Sequence, residues 1–180
     1  GINMFNQNEV VDTLVSLLGI NSPTGYTKHA ISHLEEKVIT LGYDYEVTPK
    51  GNLIVSVVGE DTQVTRGLSA HVDTLGLMVR SINSDGTLSL TTLGGPLTPT
   101  LDGEYCDVIT RDEVVYTGTI LSKSPSIHVF KDASTKGRDI DNLVVKLDER
   151  VTSKEDVINL GIQNGDIVAY DPKVVVTDSG

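Results

Sequence analysis

Gly67-Leu68-Ser69-Ala70-His71-Val72-Asp73-Thr74-Leu75-Gly76 divides this chain into two textures. Before it, helical stripes alternate with apolar strand-like runs. After it, short strands follow one another between turn signals. Gly67 to Ala70 reads as a strand, and side chains two apart in a strand share a face, so His71 and Asp73 point the same way. An imidazole binds a metal while a nearby carboxylate holds its tautomer. In open α/β sheets, ligands also gather at the carboxyl ends of strands. The competing reading is a strand-end histidine making a local hydrogen bond. A catalytic zinc takes about three protein ligands plus water; His71 supplies one.

Upstream, Asn6-x-x-Glu9 opens a helix in the manner of a capping box, and Val10, Val11, Leu14, Leu17 and Leu18 form its stripe. Gly19 ends it, and Asn21-Ser22-Pro23-Thr24-Gly25 reads as a loop. A second helix is expected from about Thr27 to Leu41, burying Ile31, Leu34, Val38 and Leu41, with Gly42 closing it in the left-handed region. Tyr43 to Thr48 and Leu53 to Val58 read as strands around a turn. The second is almost continuously apolar, which suits a strand covered on both faces.

Downstream, strands are expected at 75–82, 87–93, 104–110, 114–121, 142–147 and 167–170. Asn83-Ser84-Asp85-Gly86 is a strong hairpin turn, and Gly94-Gly95-Pro96 interrupts pairing. Thr152-x-x-Glu155 caps a short helix with Val157, Ile158 and Leu160 inward. Many short strands and one short helix predict a small β-barrel or sandwich. The fold class is therefore α/β, in what looks like half of a domain, carrying an inserted β-barrel or sandwich. The expected divisions are 1–74, 75–171 and a return at 172–180.

The 180 residues allow one large or two small domains, and 38% hydrophobic content supports a core. No apolar run approaches the roughly 18 to 20 residues of a membrane span. Gly1-Ile2-Asn3-Met4 lacks the basic region and apolar stretch of a signal peptide. Cys106 is the only cysteine, so an intrachain disulfide is impossible and a cysteine-based zinc site is excluded; a cytoplasmic setting fits this. The net charge of −11 argues against nucleic acid as a partner.

Other candidates are weaker. His29 and His33 share a helix face, but the zincin pattern needs Glu after the first His and Ala30 stands there; both are expected on a solvated face. His128 lies within Ser124-Pro125-Ser126-Ile127-His128-Val129, and a loop histidine is usually unremarkable. Cys106 reads as a small buried residue. Glu35-Glu36 and Asp148-Glu149-Arg150 show no paired-carboxylate geometry.

Asn21-Ser22-Pro23-Thr24-Gly25-Tyr26, Gly51-Asn52-Leu53-Ile54 and Ala70-His71-Val72-Asp73 with Gly76 resemble the M42 metallo-aminopeptidases, which include the tetrahedral and glutamyl aminopeptidases. The likeness continues through Leu93-Gly94-Gly95, Gly118-Thr119-Ile120, Arg138, Leu160-Gly161-Ile162 and Gly165-Asp166, in order along almost the whole chain. It implies an exopeptidase that uses two zinc or cobalt ions and removes N-terminal residues from peptides. It also implies a β-barrel or PDZ-like insertion used in assembly, from dimers up to a dodecamer. His71 takes the role of metal ligand, and Asp73 a catalytic role as its orienting carboxylate. His128 is a candidate contact to substrate or a neighbouring subunit. Thr74 departs from the family, many members of which carry Glu there. The remaining ligands and the general base are expected beyond Thr177-Asp178-Ser179-Gly180, so this chain alone is expected to be inactive. The alternatives are a non-enzymatic binding or assembly module, and a related His-x-Asp metallo-carboxypeptidase or deacylase.

Overall fold

In a computed structural model the structure describes residues 4–179, so Gly1-Ile2-Asn3 and Gly180 of the readings above lie outside the described residues. The chain divides into two compact units, one ending at Asp73 and resuming at Pro172, the other running Thr74–Asp171.

The first unit begins with α1, Gln7–Leu18. Asn6 caps it, its side chain accepting from the Asn8 and Glu9 amides at 3.1 and 3.4 Å. α2 spans Lys28–Leu41. Gly42 adopts φ 76°, and the Gly42 and Tyr43 amides return to Ile39 and Val38, which satisfies two helix-end carbonyls. β1, Asp44–Val47, pairs antiparallel with β2, Leu53–Ser56, from Asp44↔Ser56 to Val47↔Leu53.

Three expectations fail in this unit. Gly67 to Val72 forms no strand, and Leu68 is fully exposed. β2 is not covered on both faces; Ile54 and Val55 are exposed. The α2 stripe is only partly buried, with Leu41 at 65% exposure and Ala30 the one buried residue of the helix. The cause is common to all three. A strand needs a ladder partner and an apolar face needs a covering layer. Among the described residues this sheet has only the two strands β1 and β2.

The second unit is a closed six-stranded barrel. Its strands are β3 Gly76–Ile82, β4 Leu88–Leu93, β5 Tyr105–Ile109, β6 Val115–Ser122, β7 Leu143–Leu147 and β8 Ile167–Tyr170. Their order is β3-β4-β7-β6-β5-β8, and β8 closes onto β3 through Leu77↔Val168 and Met78↔Ile167. Alternating residues point inward: Leu77 and Val79, Leu88 and Leu90, Cys106 and Val108, Val145 and Leu147 are all buried. The turn after β3 closes with the Gly86 amide on the Asn83 carbonyl at 3.0 Å.

α3, Lys154–Asn159, covers the core with Val157. Its cap is one residue later than expected. Ser153 accepts from the Asp156 amide at 3.1 Å, and Asp156 accepts from the Thr152 amide at 2.9 Å. Ile158 points out, at 45% exposure, because it lies about 100° around the helix from the inward-facing Val157. The loop between β6 and β7 is tied down by Arg138. Its guanidinium donates to Asp102 and the Ala133 carbonyl at 2.9 Å each, and to the Lys136 carbonyl.

Candidate metal-ligand site

His71 and Asp73 lie on irregular backbone in the first unit, not on a strand, yet their side chains meet. His71 Nδ1 is 3.0 Å from Asp73 Oδ1 and also 3.0 Å from the Asp73 backbone carbonyl. Both are acceptors. Two acceptors at one ring nitrogen require that nitrogen to carry the proton. Nε2 is then unprotonated in the neutral ring, with its lone pair available. The His71 side chain is 84% exposed, so that lone pair faces water.

Asp73 has a further partner. Thr24 Oγ1 donates to Asp73 Oδ2 at 2.7 Å, across 49 residues of chain. The Thr24 hydroxyl, more than the His71 contact, holds the Asp73 carboxyl below the usual carboxylate range. Thr24 was not singled out as a site residue in the sequence. Its signals there were a Pro-Thr-Gly turn and membership of the Asn21–Tyr26 stretch that carries the family resemblance, neither of which assigns it a role.

One imidazole with a bare Nε2 has the donor chemistry of a zinc ligand, and a carboxylate oxygen lies 3.0 Å from its other ring nitrogen. A whole site is a different matter. Among the described residues no group of three or more His, Cys, Asp or Glu is placed to hold a metal.

The remaining candidates do not join it. His29 is exposed, its Nε2 3.1 Å from the Tyr26 hydroxyl. His33 is not on the solvated face: it is partly buried, and its Nε2 finds no hydrogen-bond partner among the described residues. α2 turns that position inward because it stands three residues after Ala30, the buried residue of the helix, and shares its face. His128 is exposed on the loop between β6 and β7. Cys106 is buried, and burial, followed by the charges of Asp107 and Asp148, pushes its thiol up to about 12. It is inert as a nucleophile. Asp148 and Asp156 are occupied by Thr117 and Thr152.

The sequence model of the M42 glutamyl aminopeptidases matches residues 51–180, well over half of the chain. This chain belongs to the M42 glutamyl aminopeptidase family.

Relatives and solved structures agree with it. YhfE of Bacillus subtilis is 40% identical to this M42 chain over 177 residues, 98% of this chain and 51% of that protein. Lysyl aminopeptidase of Pyrococcus furiosus is 28% identical over 156 residues, 85% of this chain and 44% of that protein. Aminopeptidase APDkam598 of Desulfurococcus kamchatkensis matches with a TM-score of 0.78 at 26% identity, over 95% of this chain and 45% of that one. A TET aminopeptidase from a marine-sediment Thaumarchaeota archaeon matches at 0.79 with 22% identity, over 94% and 47%, a likeness of fold. The M42 chain thus spans about half the length of these two curated relatives.

Proposed function

We propose that this chain is the N-terminal portion of a metal-dependent aminopeptidase that removes N-terminal residues from peptides. The observation that carries the proposal is the exposed His71 ring, whose Nδ1 lies 3.0 Å from two Asp73 oxygens, an arrangement that leaves Nε2 as the free donor. Family membership supplies the reaction class. Bound zinc or cobalt would contribute Lewis acidity for amide hydrolysis. This chain contributes one imidazole donor and the groups that orient it.

The second half of the reading is that these residues alone do not turn over substrate. Its support is the missing ligand cluster among the described residues, together with a span of about half the relatives' length. Exposed Ile54, Val55, Val57 and Val58 follow the same logic, as apolar positions that a larger sheet would cover. Solved relatives include one described as a dodecamer and one as a tetrahedron or octahedral shell, so homo-oligomeric assembly belongs to the proposal for the complete enzyme. A cytoplasmic setting also belongs to it; among the described residues no helix is long and apolar enough to cross a membrane.

The test uses the complete polypeptide that contains this chain. It should release N-terminal residues from short peptides, lose activity on chelation, and recover it with zinc or cobalt. His71→Ala should lower kcat/KM by at least roughly a hundredfold, since metal-site lesions remove transition-state stabilisation. Chelator-insensitive hydrolysis, or no hydrolysis by a folded, metal-loaded protein, refutes it. Sub-micromolar zinc binding by the 180-residue chain, abolished in His71→Ala, refutes the inactive-portion reading.

A further inference from the structure

Asp73 is 38% exposed, and a carboxylate that exposed would ordinarily sample several rotamers. Here something holds it. The Tyr26 amide donates to the Pro23 carbonyl at 2.7 Å, closing a four-residue turn with Thr24 at its second position. Gly25 has φ 88°, the left-handed value that a type II turn requires at its third position. The Pro23 ring fixes the backbone entering the turn. Ser22 and Pro23 are buried, which anchors it. Thr24 is β-branched and stiff about χ1, so its hydroxyl has a set direction. That direction ends 2.7 Å from Asp73 Oδ2.

The second Asp73 oxygen faces His71 Nδ1 at 3.0 Å. The hydrogen bonds therefore run in one sense. The Thr24 hydroxyl donates to Oδ2, Nδ1–H donates to Oδ1, and Nε2 keeps its lone pair. With Oδ2 held, Oδ1 cannot swing from the ring. We infer that Thr24 is a positioning residue for His71, its hydroxyl locking the Asp73 carboxylate that keeps the imidazole protonated at Nδ1 and open at Nε2. The inference rests on the reading of His71 as a metal ligand, and it ties that ligand's carboxylate partner to a distant turn. Thr24 acts through Asp73 and touches no reacting atom.

The test is made on the 180-residue chain by long-range nitrogen–proton NMR of the histidine rings, with zinc chloride added as probe. Wild type should show His71 as the Nδ1–H tautomer. Thr24→Val keeps the shape and removes the donor. It should give mixed tautomers and weaken the zinc response at Nε2 by roughly tenfold, the lower end of what loss of a ligand's outer partner costs. Thr24→Ser keeps the donor and should restore both. In an Asp73→Asn background, Thr24→Val should add nothing, an outcome that a general folding defect would not give. Wild-type tautomers in Thr24→Val, or an undiminished Thr24→Val effect in the Asp73→Asn background, overturn the inference. If Thr24→Val is poorly folded by circular dichroism, Thr24→Ala read in the same spectra decides by the same criteria. A wild-type Nε2 that ignores zinc, beside a Thr24-dependent tautomer, removes the metal-ligand reading and leaves the positioning role standing.

Discussion

Gly118→Ala tests whether the barrel is as tightly closed as its register implies. Gly118 sits on β6, paired with Cys106 of β5 and Leu147 of β7. A Cβ there would stand 2.8 Å from the Lys146 carbonyl oxygen, 2.8 Å from Val145 Cγ1 and 3.4 Å from Leu147 Cα. Carbon atoms sit comfortably at about 3.5 to 4.0 Å, so the neighbours must retreat by more than about half an ångström. They have little freedom to do so. The oxygen belongs to the backbone ladder Thr119↔Lys146, and Val145 is fully buried. Overpacking of this kind costs about 1–3 kcal/mol. Replacing Gly by Ala returns about 0.4–1 kcal/mol by restricting the unfolded chain. Two contacts this short against rigid neighbours place the cost in the upper half of that range, about 2–3 kcal/mol, so the net loss is about 1–2.6 kcal/mol, or roughly five- to eightyfold in the opening equilibrium.

The assay is native-state hydrogen exchange at the Ile120 amide, which donates to the Glu104 carbonyl at 2.8 Å within the barrel wall. Gly95→Ala is the control, because a Cβ there meets nothing within 4 Å. It should change stability by less than about 0.5 kcal/mol. An Ile120 exchange rate in Gly118→Ala within about twofold of wild type would refute the packing argument.

Two other perturbations probe separate parts of the same unit. Arg138→Ala removes three hydrogen bonds to Asp102, Lys136 and Ala133, so trypsin cleavage at Lys131 should rise by roughly tenfold. Ile120 exchange should stay nearly constant, and an unchanged cleavage rate would show that the arginine does not hold the loop. Asp166 is 2% exposed with Oδ1 unpartnered, and burial pushes its carboxyl above the usual range despite the Gln163 amide and Arg111. A raised folded pKa means its stabilising contribution is present below the unfolded value, about 3.9, and is lost as pH rises through the folded value. Asp166→Asn should therefore gain on wild type in urea midpoint as pH rises above about 4. The lowered carboxyls of Asp73, Asp85, Asp132 and Asp156 act oppositely but equally in both proteins, so the difference isolates Asp166. Parallel pH profiles would exclude this account.

The barrel strands were legible because their information is local. Short apolar runs such as Gly76–Ile82 and Val115–Ser122, bounded by turn signals such as Asn83–Gly86, mark strand positions before any partner is known. The helix caps at Asn6 and Gly42 were legible for the same reason, while the α3 cap slipped by one residue because Thr152 and Ser153 are chemically alike. The strand expected at Gly67 to Ala70 and the double cover expected for Leu53 to Val58 were not local questions. Both depend on neighbouring strands and layers, and the described residues supply only β1 and β2.

The site divides in the same way. The sequence alone determined that His71 and Asp73 stand two residues apart, close enough for ring and carboxylate to meet in strand or irregular backbone alike. Only the tertiary structure decided that Thr24, 49 residues earlier, completes the contact, and that His33 turns inward. Hydrogen bonds between distant segments depend on where the folded backbone carries each atom, and no periodicity or spacing records that.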